Sequence, residues 1–231
     1  MAPPQNDLVV WPEDLQPGGS LPLIVFDLDG TLVDSYEMAL LCHARTIEAV
    51  GLPPVSRRVL ESLNGPTIEE ECRILGFPME RMGELEAAMT RVEVELAPVM
   101  ARTFPGVPEM LASLQSGGAV LCVLTNGLPH YMKLVCGITG IDRYVTESAA
   151  YTPGVSKAAR IRQWMEARGL PRALAVGDRP TDVDAGRMAG ARTLAVTYGN
   201  GTAEQLAHAD YLASTVAEAW RLCERFCEGK D

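Results

Sequence analysis

Phe26-Asp27-Leu28-Asp29-Gly30-Thr31-Leu32-Val33-Asp34-Ser35 sets two aspartates one residue apart, directly after a short apolar run. Carboxylates placed that closely are costly unless a cation or a proton separates their charges. Gly30 lets the chain turn sharply away from them. Ammonium groups for such a site are scarce: Lys133, Lys157 and Lys230 are the only lysines, and every other basic side chain is arginine or histidine.

The elements that must position these residues follow from the hydrophobic pattern. Residues 23–27 read as a buried strand ending in a carboxylate, and similar runs recur at 119–125, 173–176 and 193–196. Helical stretches at 110–115, 156–168 and 181–188 precede the last three strands. Strands alternating with helices predict an α/β core with a mainly parallel sheet. In open sheets of that kind ligands bind beyond the carboxyl ends of the strands, where Asp27 stands.

The alternation stops between the first two strands. Tyr36, Leu40, Ala44 and Ile47 recur at helical spacing, and Gly51-Leu52-Pro53-Pro54 closes that helix. Thr67 and Glu70 have the form of a capping box for a short helix running to Gly76. Leu85, Met89, Val92 and Leu96 make a longer stripe expected to end at Pro98. The predicted organisation is an N-terminal tail over 1–20, a core over 21–34 and 104–231, and a helical cap over 35–103.

A chain of 231 residues with 47% apolar residues can bury a proper core. Its net charge of −10 argues against nucleic acid or an anionic membrane as partner. No apolar run approaches bilayer-spanning length. The six cysteines show no CxxC pair and read as reduced, small hydrophobes. A cytoplasmic protein is expected.

The ten-residue string resembles motif I of the haloacid dehalogenase (HAD) superfamily. Leu124-Thr125-Asn126-Gly127 is similar to motif II, Lys157 to the motif III lysine, and Val176-Gly177-Asp178-Arg179-Pro180-Thr181-Asp182 to the acidic motif IV. The resemblance covers about residues 21–215 and implies a Rossmann-like parallel core of the HAD type with an inserted α-helical cap. It also implies a phosphatase for a small phosphorylated metabolite. Asp27 would be the nucleophile, Asp29 the general acid and then base, and Lys157 the balancing cation. Mg²⁺ would be held by the Asp27 and Asp178 carboxylates and the Asp29 carbonyl, with Asp182 supporting a metal-bound water or the lysine. Thr125 and the N–H groups of Asn126 and Gly127 would bind phosphoryl oxygens.

Lys157 departs from the common Gly-Lys-Pro string, since Tyr151-Thr152-Pro153 stands near that position; Lys133 is the runner-up. The histidines receive no catalytic role, and His130 is expected at the surface. Asp29 disfavours a dehalogenase, and the absence of lysine from 35–103 disfavours a phosphonatase. The phosphoglycolate phosphatase-like branch is favoured over 5′-nucleotidase-like phosphatases and a β-phosphoglucomutase-like mutase, and over a silent binding domain. In the cap, Asn64 and Thr67 are expected to contact the leaving group, while Arg73 is read as a solvated helix face.

Overall fold

The computed structural model describes residues 21–230, so the expected tail over 1–20 lies outside the described residues. The strands are β1 (Leu23–Phe26), β2 (Val120–Leu124), β3 (Glu147–Ala149), β4 (Ala173–Gly177), β5 (Arg192–Val196) and β6 (Tyr211–Ala213). They form one parallel sheet in the order β3-β2-β1-β4-β5-β6. The chain builds outward from β1 on one side, then crosses to β4 and builds outward on the other. That reversal opens a crevice beyond the carboxyl ends of β1 and β4.

β1, β2 and β4 are buried along their whole length, which is why they read as continuous apolar runs. Alternate residues serve two layers. Ile24, Phe26, Leu121 and Val123 pack with α5 (Val107–Ser116) and α9 (Val216–Cys227). Leu23, Val25, Cys122 and Ala175 pack with α7 (Lys157–Arg168) and α8 (Pro180–Ala189) through Ile161, Trp164, Ala185 and Ala189. The edge strands β3 and β6 escaped the sequence reading. Each is three residues long and only partly buried, so neither needs an apolar run.

Between β1 and β2 stand α1 (Tyr36–Ala49), α2 (Arg57–Ser62), α3 (Ile68–Leu75) and α4 (Met82–Met100). The capping box of Thr67 and Glu70 starts α3, and Gly76 ends it at φ 63°. Pro98 does not end α4, which continues to Met100. The proline removes the hydrogen bond to the Val94 carbonyl, but Val94 is 54% exposed, so water can take the donor's place. After β2 comes α6 (Pro129–Thr139), which packs against α4. No helix among the described residues is long and apolar enough to cross a membrane.

Candidate active site

β1 and β4 lie in register, Phe26 beside Val176, so Asp27 and the Asp178 segment leave the sheet together. Lys157 opens α7 behind Ser156, whose hydroxyl caps the helix by accepting from Ala159 N–H. Its ammonium donates to Asp27 Oδ1 at 2.6 Å and to Asp182 Oδ1 at 2.7 Å. Burial opposes that ammonium, but Asp182 and Asp27 outweigh it and hold its pKa above that of an ordinary lysine. Burial also drives the Asp27 carboxyl well up; Lys157 opposes the shift, and Asp182 and Asp178 add to it.

Asp182 spends its other oxygen on the Arg179 N–H at 3.1 Å. Asp178 Oδ2 accepts from the Asn200 main chain at 2.7 Å and from its side chain at 2.8 Å. Asp178 Oδ1 is buried with no hydrogen-bond partner among the described residues. Burial lifts this carboxyl to about 6 against the pull of the Asn200 N–H.

Asp29 turns elsewhere. Its Oδ1 accepts from the Tyr131 hydroxyl at 2.5 Å, and burial raises the carboxyl while that bond draws it back. Thr125 is buried after β2, and its Oγ1 accepts from Gly127 N–H at 2.9 Å. The Gly127 donor expected to meet a phosphoryl oxygen is therefore engaged by Thr125 in this state. Asn126 Nδ2 donates to the Gly65 carbonyl at 2.9 Å, joining this loop to the α2–α3 loop. Buried Asn64 donates to Asn200 Oδ1 at 3.4 Å.

An inner cavity of about 90 Å³ collects Asp27, Asp29, Asn64, Thr125, Asn126, Gly127, Lys157 and Asp182. Thr67 is not part of its lining. The Thr67 hydroxyl is committed to Glu70, and the residue borders an outer cleft of about 1000 Å³ together with exposed Arg73. Lys133 is exposed on α6 and lines neither space.

Residues 24–196 match the family model described as haloacid dehalogenase-like hydrolase. The chain belongs to this family. It is 28% identical over 197 residues to the tyrosine-protein kinase PtkA of Mycobacterium tuberculosis H37Rv, covering 81% of this chain but only 66% of that one. It is 32% identical over 193 residues to a phosphoglycolate phosphatase of Agrobacterium fabrum C58, covering 77% and 81% of the two chains. Its fold matches a solved HAD-like protein, SP0104 of Streptococcus pneumoniae, with TM-score 0.77 at 24% identity over 88% of this chain and 98% of that one.

This HAD-like chain carries three carboxylates, from Asp27, Asp178 and Asp182, whose oxygens lie within 4.8 Å of one another. The set fits a hard divalent cation. The orphaned Asp178 Oδ1 lacks a partner, and oxygen donors are what such an ion takes. A Cβ on Gly30 would stand 2.1 Å from Asp178 Oδ2, and one on Gly199 2.6 Å from the same atom, so only glycines let these loops pack so closely on this acid. Asp182 is occupied by Lys157 and Arg179, and the Asp29 carboxyl by Tyr131. Asp27 and Asp178 are the carboxylates left with an oxygen free to face a cation.

Several groups in and around the site escaped the sequence reading. Tyr131 sits on α6, a helix that the sequence reading did not propose. Glu71 ends the run Glu69-Glu70-Glu71, which reads as acids favouring a helix N-terminus. His130, expected at the surface, is partly exposed, and the packing of α6 on α4 brings its Nε2 to 2.6 Å from Glu93 Oε2. Nothing in the sequence marks Asn200 as the partner of Asp178.

Proposed function

We propose that this protein is a Mg²⁺-dependent phosphatase of the phosphoglycolate phosphatase-like branch, acting on a small phosphomonoester through an aspartyl-phosphate on Asp27. The observation that carries the reading is the ammonium of Lys157 held between Asp27 and Asp182 at the end of β1, with Asp178 beside them. A carboxylate meets a phosphate dianion only where local cations reverse the repulsion. Lys157 supplies one such charge. Mg²⁺, held by Asp27, Asp178 and the Asp29 carbonyl, would supply the rest as a Lewis acid.

In the first step an Asp27 oxygen bonds to phosphorus while the bond to the leaving oxygen breaks. The Asp29 carboxyl gives its proton to that oxygen, a role suited to an acid whose pKa burial has raised. Asp29, now ionised, then takes a proton from water as the water oxygen bonds to phosphorus and the bond to Asp27 breaks. The Thr125 hydroxyl and the Asn126 N–H orient the phosphoryl oxygens, and Gly127 joins them if its N–H is released from Thr125. Tyr131 holds Asp29 toward the leaving group.

Residues 35–103 act in this reading as a cap that closes over the site. Its two linkers run side by side: Asp34 N–H donates to the Arg102 carbonyl at 2.9 Å, and Phe104 N–H to the Leu32 carbonyl at 3.1 Å. Paired linkers of this kind can serve as one hinge. The test is phosphate release from p-nitrophenyl phosphate with Mg²⁺, with EDTA, and by Asp27→Asn. Quenched wild type is expected to carry phosphate on Asp27. Turnover within tenfold of wild type by Asp27→Asn, or full turnover in EDTA, would refute the mechanism.

A further inference from the structure

The inner cavity has a far wall that the phosphoryl chemistry leaves unused. It is formed by Glu71 of α3, Glu93 of α4, and His43 of α1. Glu71 is 6% exposed, and its Oε2 has no hydrogen-bond partner among the described residues. The nearest cationic candidate, His43 Nδ1, stands 3.8 Å away, beyond hydrogen-bond reach. Burial pushes His43 down to about 4, so its ring is neutral at pH 7. Burial and the neighbouring Glu93 carry the Glu71 carboxyl well above its ordinary range. A buried polar atom left without a partner is costly, so Glu71 stands ready for a hydrogen bond from whatever enters.

Among the described residues, this wall carries no spare positive charge of its own. His130 is matched by Glu93 at 2.6 Å, and Lys157 is held by two aspartates. Arg73 borders only the outer cleft. Arg179 borders both spaces beneath the α2–α3 loop, where a Cβ on Gly65 would lie 3.4 Å from its Nε, so it stands where the two spaces meet. A carboxylate pushed against this wall would lose its water with no cation beside it to replace the lost solvation. A hydroxyl there would satisfy Glu71 at no electrostatic cost.

Resting on the phosphatase reading above, we propose that the leaving group is an uncharged, hydroxyl-bearing fragment, as in a small polyol or sugar phosphate, bound through Glu71. Substrates carrying a carboxylate at that end are selected against, which sets this chain apart from a phosphoglycolate-specific enzyme. Sites built to pair a substrate hydroxyl discriminate strongly because their own polar groups are otherwise stranded.

Two matched pairs test this with the full chain and Mg²⁺: glycerol 3-phosphate against 3-phosphoglycerate, and 2-hydroxyethyl phosphate against 2-phosphoglycolate. Within each pair the carbon chain is the same and only the terminal group differs. The hydroxylated member is expected to have at least a tenfold higher kcat/KM. Glu71→Leu should bring the ratio within threefold, while Glu71→Gln, which keeps a polar reach, should retain the preference. Equal or reversed ratios in the wild type overturn the inference whether or not the variants fold. A ratio unchanged in a folded Glu71→Leu overturns the role of Glu71. O-phosphoethanolamine exceeding glycerol 3-phosphate tenfold would overturn the hydroxyl assignment in favour of an amine. Wild-type hydrolysis of p-nitrophenyl phosphate separates the two levels. If it fails, the phosphatase reading falls; if it proceeds while the acids win, only the leaving-group inference falls.

Discussion

Lys157→Met keeps most of the side chain's length and removes its charge. In the wild type the ammonium lies 2.6 Å from Asp27 Oδ1 and 2.7 Å from Asp182 Oδ1, with its side chain 13% exposed. At an effective dielectric near 20, each contact amounts to roughly 6 kcal/mol of attraction before desolvation is counted. Most of that is offset by drying the charges, and removing one partner of a buried pair costs about 3–5 kcal/mol. The variant should therefore lose about 3–5 kcal/mol of stability at pH 7 in metal-free buffer. The sign of its pH dependence is fixed by linkage. Without the ammonium, the folded pKa of Asp27, already raised, rises further above its unfolded value. The folded state then binds more protons, and the penalty shrinks as pH falls toward about 4, the unfolded value. If the same ammonium balances charge in the transition state, kcat/KM falls by roughly 10²–10⁴. Urea unfolding at pH 5 and pH 7 with EDTA, and steady-state kinetics with Mg²⁺, should be run beside Lys133→Met as the exposed control. A Lys157→Met protein as stable as wild type at pH 7, or one within tenfold of its kcat/KM, would refute the reasoning.

Asp29→Asn should lose far more rate on alkyl phosphates than on p-nitrophenyl phosphate, whose leaving group needs little protonation. Single-turnover measurements check this, and equal losses on both would remove Asp29 from the acid role. His43 gives a stability prediction independent of the aspartates. Its folded pKa of about 4 lies below the unfolded value near 6.5, so its contribution is full above pH 6.5 and is lost as pH falls toward 4. The loss between pH 7 and pH 5 is about 2 kcal/mol, and His43→Gln should lose that much less over the same interval in urea unfolding with EDTA. Identical pH dependence in variant and wild type would show that His43 titrates in the folded state as it does in the unfolded chain.

The sequence alone determined the parts of this protein in which local pattern and position carry the information. β1, β2, β4 and β5 sit in layers buried well enough to write themselves as apolar runs, and Asp27, Asp178 and Thr125 follow or close such runs at the end of the sheet where ligands collect. Lys157 was legible because lysines are so few and because it opens a helix where a cation is otherwise disfavoured. The edge strands β3 and β6 were invisible because half-exposed three-residue strands need no apolar signature. The far wall of the cavity was invisible for a different reason. His43, Glu71, Glu93 and Tyr131 come from four helices, and on each helix the residue obeys a local rule that says nothing of its neighbours. Only the packing of those helices against one another turns an ordinary first-turn glutamate into a buried carboxyl with an unused oxygen. The strand-end carboxylates are written in short strings, whereas the wall of His43, Glu71 and Glu93 is assembled from distant turns and exists only in three dimensions.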